Sequence, residues 1–303
     1  MELITGENDK GRRLDRILRK ALPDHPLPLI HRLLRQEQIY VNEKPGKAQD
    51  RLDCGDVIKI PLLKSDTSSE KKQKTVNQTK NSINNENKLN IIWENYGLLA
   101  VNKPCGLAVH GFNSLNTIVC SYLSDKLPPS LSFKPGPLHR LDKPSSGIVV
   151  FSTNIEGARL FSTLMHERKI KKTYLAVVQG IVKKEEIWQD FLVRNKERKK
   201  TFLDSSGKTA ITKIKPLATE NNYSLIAVEI TTGRTHQIRA QAAAHGYPLF
   251  GDVKYGSKIT KTQFFLHAWK LEFLEYKIEA PLPQEWRTRF PKITFDKIFS
   301  IIF

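Results

Sequence analysis

Hydrophobic and polar residues follow a helical period in two stretches near the start of the chain. Apolar side chains recur at the spacing of a helix within residues 14–21 and again within residues 29–34, which predicts two short helices. Strand-like stretches follow at residues 38–42 and 56–60, and Pro45 with Gly46 indicates a turn between them. Residues 1–63 are therefore predicted to form one small module of two helices and a short sheet.

Residues 64–90 contain almost no apolar side chain. This stretch reads KSDTSSEKKQKTVNQTKNSINNENKLN and consists mainly of Lys, Asn, Ser, Thr and Gln. Such a segment cannot bury enough surface to offset the entropy lost when it becomes ordered. We expect a flexible linker between the small module and a larger one that spans residues 91–303.

The larger module alternates short apolar runs with two helical patterns. The runs predict strands at residues 90–93, 98–101, 148–152, 174–178 and 223–230. A helix capped by Asn154 would turn Ala158, Phe161 and Met165 inward, and a second at residues 235–245 would end at Gly246. Strands outnumber helices without regular βαβ alternation, which predicts an α+β fold with a largely antiparallel sheet.

Composition narrows the class of protein. The 303 residues carry 49 Lys and Arg against 31 Asp and Glu, a formal net charge of +18, which attracts polyanions such as nucleic acid. No apolar run is long enough to span a membrane, and the polar residues 1–13 do not resemble a signal peptide. Cys54, Cys105 and Cys120 lie far apart without metal-ligand spacing, so we expect a cytoplasmic protein without zinc or disulfides.

The small module resembles a known RNA-binding domain. Its segments RLDRILRKALPD, LIHRLLRQEQIYVNEK and DRLDCGDVIKI are similar in content and order to the S4-like RNA-binding domain. One difference is that Pro26, Leu27 and Pro28 occupy the place of a common Ser-Arg-Ser segment. The resemblance implies RNA contacts from the basic residues on the two helix faces, for which the candidates are Arg12, Arg13, Arg16, Arg32 and Arg35.

Four segments of the larger module each join a glycine or proline turn to polar side chains at the edge of a strand or helix: residues 101–111, 137–152, 171–180 and 231–256. Asp142 lies in the second, next to Arg140 and Lys143, and Arg234 would face it if the fourth folds alongside. Such a carboxylate could be a nucleophile, a base or a structural acceptor of turn N–H groups. Tyr174, on the strand of the third, could equally be an ordinary half-buried tyrosine.

The four segments together are similar to the RluA-type family of RNA pseudouridine synthases. The match rests on HRLDKPSSG, NKPCGLAVH, KKTYLAVVQG and GRTHQIR followed by GDVKYG, and LHAWKLEF and EAPLPQEW are similar to the closing strands of the family. It extends over residues 90–286. The resemblance implies a pseudouridine synthase catalytic domain with a mixed, mostly antiparallel sheet flanked by helices, and an S4-like domain in front of it is typical of members that act on large-subunit ribosomal RNA.

The resemblance also implies roles for individual residues. Asp142 corresponds to the catalytic aspartate, Tyr174 to the active-site tyrosine and Arg234 to the basic residue that pairs with the aspartate. The reaction moves the uracil from its N1 to its C5 attachment, so no metal or other cofactor is required. Whether Asp142 attacks C1′ or removes the C2′ proton stays open.

Extrusion of the target uridine would leave a gap in the RNA. The resemblance makes Arg140 the candidate to fill it, with His139 as a weaker candidate. Lys103 is expected either to border the pocket as an RNA-binding residue or to stabilise the turn in which it lies. We expect a monomer that acts on ribosomal RNA. Transfer RNA as substrate and a catalytically idle assembly protein remain alternatives, whereas a metal-dependent nuclease would need clustered carboxylates or histidines that the sequence does not show.

Overall fold

The computed structural model describes residues 1–61, 89–259 and 264–295. The chain divides into two units. The first consists of Met1–Leu89, Cys120–Pro135 and Thr153–Ile155, and the second of Asn90–Val119, Gly136–Ser152 and Glu156–Phe303. Most of the predicted linker at residues 64–90 lies outside the described residues.

The first unit contains two helices and a four-stranded antiparallel sheet with strand order β1-β4-β2-β3. Its elements are β1 (Glu2–Ile4), α1 (Leu14–Ala21), α2 (Leu27–Arg35), β2 (Tyr40–Val41), β3 (Lys44–Pro45) and β4 (Val57–Lys59). The apolar faces of both helices are buried together with Ile39, Leu52 and Ile58. Both predicted helices are confirmed.

The predicted turn at Pro45 and Gly46 is wrong. The chain reverses at Asn42 and Glu43, which have φ of 46° and 70°, and Pro45 lies in β3. Left-handed φ at both central residues suits the twist of a tight hairpin, so the earlier Asn-Glu pair forms the turn. The strand β1 was not predicted, because three residues are too few to show an alternating pattern.

A polar turn at residues 7–9 joins the separate pieces of the first unit. The fully buried Asp9 carboxylate accepts hydrogen bonds from the Gly6, Leu131 and Ser132 N–H groups and from the Ser130 and Ser132 hydroxyls. Because five donors satisfy one carboxylate, the Asp9 contact holds residues 130–132 firmly within this unit.

The second unit is built on an eleven-stranded mixed sheet in which β8 and β14 form the parallel pair. Its order is β11-β10-β12-β13-β9-β14-β8-β6-β5, with β15 paired to β14 and β7 paired to β8. The strands are β5 (Ile91–Asn95), β6 (Leu98–Lys103), β7 (Gly136–Pro137), β8 (Ser146–Ser152), β9 (Lys171–Gln179), β10 (Glu186–Asn195), β11 (Lys200–Leu203), β12 (Lys208–Glu220), β13 (Tyr223–Ile230), β14 (Leu266–Phe273) and β15 (Tyr276–Glu279). The α+β class with a mostly antiparallel sheet is confirmed.

Four further helices are α3 (Leu115–Leu123), α4 (Ile155–His166), α5 (Gln237–Ala244) and α6 (Gln284–Arg289). In α4, Phe161 is buried as predicted, but Met165 is 37% exposed and Leu164 takes the inward position. Residues 266–273 form the expected closing strand, whereas residues 279–286 contain the end of β15 and the start of α6.

Gly147 allows β8 and β14 to pair next to the Asp142 turn. It has φ of 106°, and an added Cβ would lie 2.2 Å from the Ala268 carbonyl oxygen. Only glycine fits such a close approach of two backbones. The bond between the Ser146 hydroxyl and His267 Nδ1, at 2.8 Å, ties the same two strands together.

Candidate active site

Asp142 lies in a tight turn that leads into β8. The Ser145 N–H donates to the Asp142 carbonyl at 3.0 Å, which closes the turn. The Lys103 ammonium donates to the carbonyl oxygens of Pro104, Leu107 and Lys143 at 2.9, 2.8 and 3.2 Å. The turn that carries Asp142 is therefore fastened from its inner side.

The prediction that Lys103 contacts RNA is wrong. Its side chain is fully buried and its three donors point inward to backbone oxygens. Burial lowers the pKa of this ammonium to about 8, against the opposing charges of Cys105 and Asp142. Lys103 thus holds the Asp142 turn in place and does not face a ligand.

The structure also corrects the predicted partner of Asp142. Arg239, in the first turn of α5, donates from Nη1 to Asp142 Oδ2 at 2.8 Å. Arg234 precedes the helix, and its Nε donates to the Thr209 carbonyl at 3.0 Å. Because α5 begins only at Gln237, its first turn directs Arg239 inward, while Arg234 stays on an exposed loop.

Arg239 is fixed on every side. Its Nε and Nη2 bind the two oxygens of Asp252 at 2.7 and 2.9 Å, and its guanidinium lies over the rings of Tyr255 and Phe264. The side chains of Arg239 and Asp252 are 7% and 2% exposed. This ion pair is bidentate and buried, so it positions the remaining Arg239 nitrogen rigidly at Asp142.

His236 stands on the other side of the Asp142 carboxylate. Its Nε2 lies 3.7 Å from Asp142 Oδ1, and its Nδ1 lies 2.9 Å from the Tyr255 hydroxyl. That hydroxyl accepts the Thr201 N–H and still has its own proton to donate to Nδ1, while the anionic Asp142 favours a proton on the Nε2 that faces it. We therefore assign the proton of the neutral ring to Nε2, which faces Asp142.

Burial keeps His236 neutral. It lowers the pKa of the imidazole to about 4, and the cations Arg239, Lys254 and Arg194 add to the decrease while Asp142 opposes it. His236 also has φ of 55°, a left-handed conformation that is uncommon for a residue with a side chain. The backbone is thus strained at the residue that faces the carboxylate.

Tyr174 lies on β9 and is 8% exposed. Burial, followed by the negative charge of Asp142, raises the pKa of its hydroxyl above the ordinary value. Tyr174 is therefore a neutral phenol near Asp142 at physiological pH. The structure brings Asp142, Tyr174, Arg239 and His236 into one site in the second unit.

Known proteins are similar to the part of the chain that contains these four side chains. The sequence profile of the family described as RNA pseudouridylate synthase matches residues 97–244, which contain all four side chains. A protein of Vibrio parahaemolyticus named ribosomal large subunit pseudouridine synthase C is 30% identical over 92% of this chain and 89% of its own length. A Buchnera aphidicola protein of the same name is 32% identical over 81% of this chain and 77% of its own length. The chain belongs to the RNA pseudouridylate synthase family.

Solved structures agree on the fold. Human RNA pseudouridylate synthase domain containing 4 aligns with a TM-score of 0.57 over 67% of this chain and 93% of that one, at 21% identity. Human RNA pseudouridylate synthase domain containing 1 aligns with a TM-score of 0.54 over 65% of this chain and 84% of that one, at 23% identity. The expected RluA-type membership is confirmed, and the enzyme is an isomerase that forms pseudouridine in RNA.

The two RNA-contact candidates next to Asp142 differ in this synthase. Arg140 is exposed. His139 Nε2 accepts the Val150 N–H at 3.1 Å, its ring stacks on Phe161, and burial lowers its pKa to about 3. Insertion of His139 into RNA is therefore a wrong prediction, because the ring already stabilises β8.

The five arginines predicted on the helix faces of the first unit fall into two groups. Arg16, Arg32 and Arg35 are exposed. Arg12 donates to the Ser132 carbonyl, and Arg13 binds both oxygens of Asp15 at 3.1 and 2.8 Å. Contacts within the unit therefore already occupy Arg12 and Arg13.

Sequence reasoning missed the basic side chains near His236. Arg194 is the last residue but one of β10. Lys254 lies in a short 3-10 helix at Val253–Tyr255 and donates to the Lys199 carbonyl at 2.8 Å. The run RNKERKK at residues 194–200 was the available signal.

Within the described residues, no three His, Cys, Asp or Glu side chains are grouped so that they could hold a metal ion. The same part of the synthase contains no helix of the length and apolarity needed to cross a bilayer.

Proposed function

We propose that this synthase isomerises uridine to pseudouridine in large-subunit ribosomal RNA, with Asp142 as the catalytic carboxylate. The observation that carries the assignment is the chain of ion pairs from Asp252 through Arg239 to Asp142, which aims one carboxylate rigidly into the site. The substrate class is supported by relatives of similar length whose names include the large ribosomal subunit.

The reaction requires an anion near the sugar. The N1–C1′ bond breaks, a C5–C1′ bond forms, C5 loses a proton and N1 gains one, so atoms and electrons balance without a co-reactant. A carboxylate stabilises positive charge that develops at C1′ in such a transition state, as it does in glycosidases. Arg239 engages Oδ2 of Asp142, which leaves Oδ1, on the His236 side, to act on the ribose.

Tyr174 complements the carboxylate. Its ring provides a flat surface for the detached uracil, and its raised pKa keeps the hydroxyl protonated, so that it donates hydrogen bonds at neutral pH. We assign it the task of holding the uracil while C5 replaces N1 at the sugar.

The target uridine must leave its stack to reach Asp142. Arg140 precedes Asp142 by two residues and is exposed, which supports it as the side chain that would fill the gap left by the extruded base. Arg234, which does not pair with Asp142, is assigned to substrate binding and not to the chemical step.

The first unit is proposed to recognise RNA through an S4-like domain in residues 1–63, ahead of a linker at 64–90 and a catalytic domain at 91–303. The exposed Arg16, Arg32 and Arg35 on its two helices are the groups that support this role.

Tritium release from uridine-labelled RNA tests the proposal. Asp142→Asn should reduce turnover by roughly a thousandfold or more, the scale of losing a main electrostatic contact in a transition state. Its affinity for RNA should stay within about twofold, and Asp125→Asn, at an exposed carboxylate, serves as the matched control. Wild-type turnover by Asp142→Asn would refute the role of Asp142, and activity confined to transfer RNA would refute the substrate.

A further inference from the structure

An open groove of about 460 Å³ lies along the second unit between β10, β12 and the loop that precedes α5. Arg194, Lys208 and Arg234 line it, and no carboxylate is among its described lining residues. We propose that this cation groove binds a backbone phosphate of the RNA that flanks the extruded uridine. The inference rests on the proposed function.

The charge of the cation groove distinguishes it from another basic groove of the same unit. That second groove contains five lysines, but Glu185, Glu229 and Glu272 line it as well. Lys213 lies 3.5 Å from Glu185, and Lys171 lies 3.2 Å from Glu229. Internal ion pairs therefore neutralise those lysines, whereas the cation groove presents its charges to a ligand.

Arg234 is held in position for such a ligand. Its Nε donates to the Thr209 carbonyl at 3.0 Å, which orients the side chain and uses one of the five guanidinium donors. The Arg234 N–H donates to Gln237 Oε1 at 3.0 Å, so the backbone is anchored to the start of α5. A guanidinium with a fixed stem suits a phosphate because less entropy is lost on binding.

Backbone pairing places the other two cations along the same edge. Leu192 of β10 is opposite Lys208 of β12, and Arg194 is opposite Thr201 of β11. The three cations thus come from three different parts of the chain and converge only in the folded protein.

The cation groove shares a wall with the active site. Thr201 lines it, and the Thr201 N–H donates to the Tyr255 hydroxyl that bonds His236. The Thr201 hydroxyl donates to the carbonyl of Thr235, another lining residue next to His236. An RNA strand whose uridine reaches Asp142 would therefore bring a neighbouring phosphate to this groove.

Charge-neutralising variants test the inference. Arg194→Gln and Lys208→Gln should each raise KM about fivefold to tenfold and leave kcat within twofold. Each should also lower the slope of log KM against log salt by about 0.7 to 0.9, the contribution of one neutralised phosphate. Lys213→Gln is the matched control, because it removes the same charge from the same strand at a lysine that faces Glu185. It should change KM less than twofold.

A chemical substitution in the RNA identifies the phosphate. In oligonucleotides around a uridine that the wild type modifies, one methylphosphonate linkage near that uridine should raise KM about tenfold. The same linkage should add no further increase in the Arg194→Gln/Lys208→Gln double variant, since its partner is gone. Inorganic phosphate at millimolar concentration should not raise the KM of the wild type for unmodified RNA to the same extent.

Three results would overturn the inference. The groove variants could match Lys213→Gln in KM and in salt slope, or the increases in KM from the methylphosphonate linkage and from the double variant could be additive. Free phosphate at millimolar concentration could also raise KM as much as the methylphosphonate linkage does. Circular dichroism and thermal unfolding confirm that each variant is folded. Failure of the wild type to modify any RNA would instead refute the proposed function, so the two failures are distinguishable.

Discussion

Two arginines of one motif have separate tasks in this synthase. GRTHQIR contains Arg234 and Arg239, and the family resemblance predicts that Arg234 pairs with Asp142. Which arginine pairs with the carboxylate depends on where α5 begins and which side of its first turn is buried. That choice is made by packing against Asp252, Tyr255 and Phe264, so a sequence alone could not predict it.

The two arginines should respond differently to the same substitution. Arg239→Lys keeps a charge but loses the fork that binds Asp252 and Asp142 together. We expect kcat to fall by roughly a hundredfold with little change in KM, because the carboxylate loses its fixed partner. Arg234→Lys should leave kcat within about threefold. Steady-state kinetics measures kcat and KM of the two variants. A larger loss of kcat in Arg234→Lys than in Arg239→Lys would contradict the observed pairing.

Buried neutral histidines make stability depend on pH. His267 is fully buried between the Ser146 hydroxyl and the Ala280 carbonyl, and burial lowers its pKa from 6.5 to about 4. Between those two values the unfolded chain binds a proton that the folded chain does not. Stability is therefore complete above pH 6.5 and falls as pH drops towards 4.

His267→Asn should reduce the slope of the unfolding free energy against pH, between pH 6.5 and pH 4, by about 1.4 kcal/mol per pH unit, the value for one proton. Urea unfolding between pH 7 and pH 4.5 measures it. His166→Asn, at the exposed end of α4, is the control. An unchanged slope in His267→Asn would show that this ring does not bind the proton differentially.

At the scale of elements, strongly periodic segments were predicted well. The first apolar stripe matches α1, and the run at residues 223–230 matches β13. The β10, β11 and β12 strands were missed, although Ala210, Thr212 and Ile214 alternate with outward side chains in β12. The exposed positions of β12 carry lysines and a threonine, but β10 and β11 expose Ile187, Phe191 and Phe202. Apolar side chains on both faces of β10 hide the alternation of a half-buried strand.

Pairing of β8 with β14 depends on a single glycine. Gly147→Ala would force a Cβ to within 2.2 Å of the Ala268 oxygen and should destabilise the fold by several kcal/mol, roughly 4 or more. Gly111→Ala is the matched control. Gly111 has a similar φ of 114°, yet no atom lies within 4 Å of the added Cβ, so only strain of about 1 to 3 kcal/mol is expected. Equal thermal shifts in both variants would disprove the close approach.

At the scale of the whole molecule, charge is distributed unevenly. Residues 1–63 contain 12 basic and 10 acidic side chains, whereas residues 91–303 contain 31 and 18. Long-range attraction of RNA therefore comes mainly from the larger part of the chain. The proposed recognition of RNA by the smaller part would therefore depend on the placement of individual arginines.

Replacement of Arg16, Arg32 and Arg35 by Gln tests that placement. These side chains are exposed, so thermal stability should stay unchanged while affinity for ribosomal RNA falls roughly tenfold and the salt slope falls by about 2. Turnover at saturating RNA should be retained. Filter binding over a salt series measures the change, and wild-type affinity in the triple variant would remove the first unit from RNA recognition.

Pseudouridine formation in large-subunit ribosomal RNA should depend on Asp142 of this synthase. Carbodiimide mapping of pseudouridines in cells that lack the gene, complemented with wild type or with Asp142→Asn, tests it most directly. We predict that one or more pseudouridines in that RNA disappear, return with the wild type and stay absent with Asp142→Asn. An unchanged pseudouridine map in cells without the gene, or full restoration by Asp142→Asn, would contradict the claim.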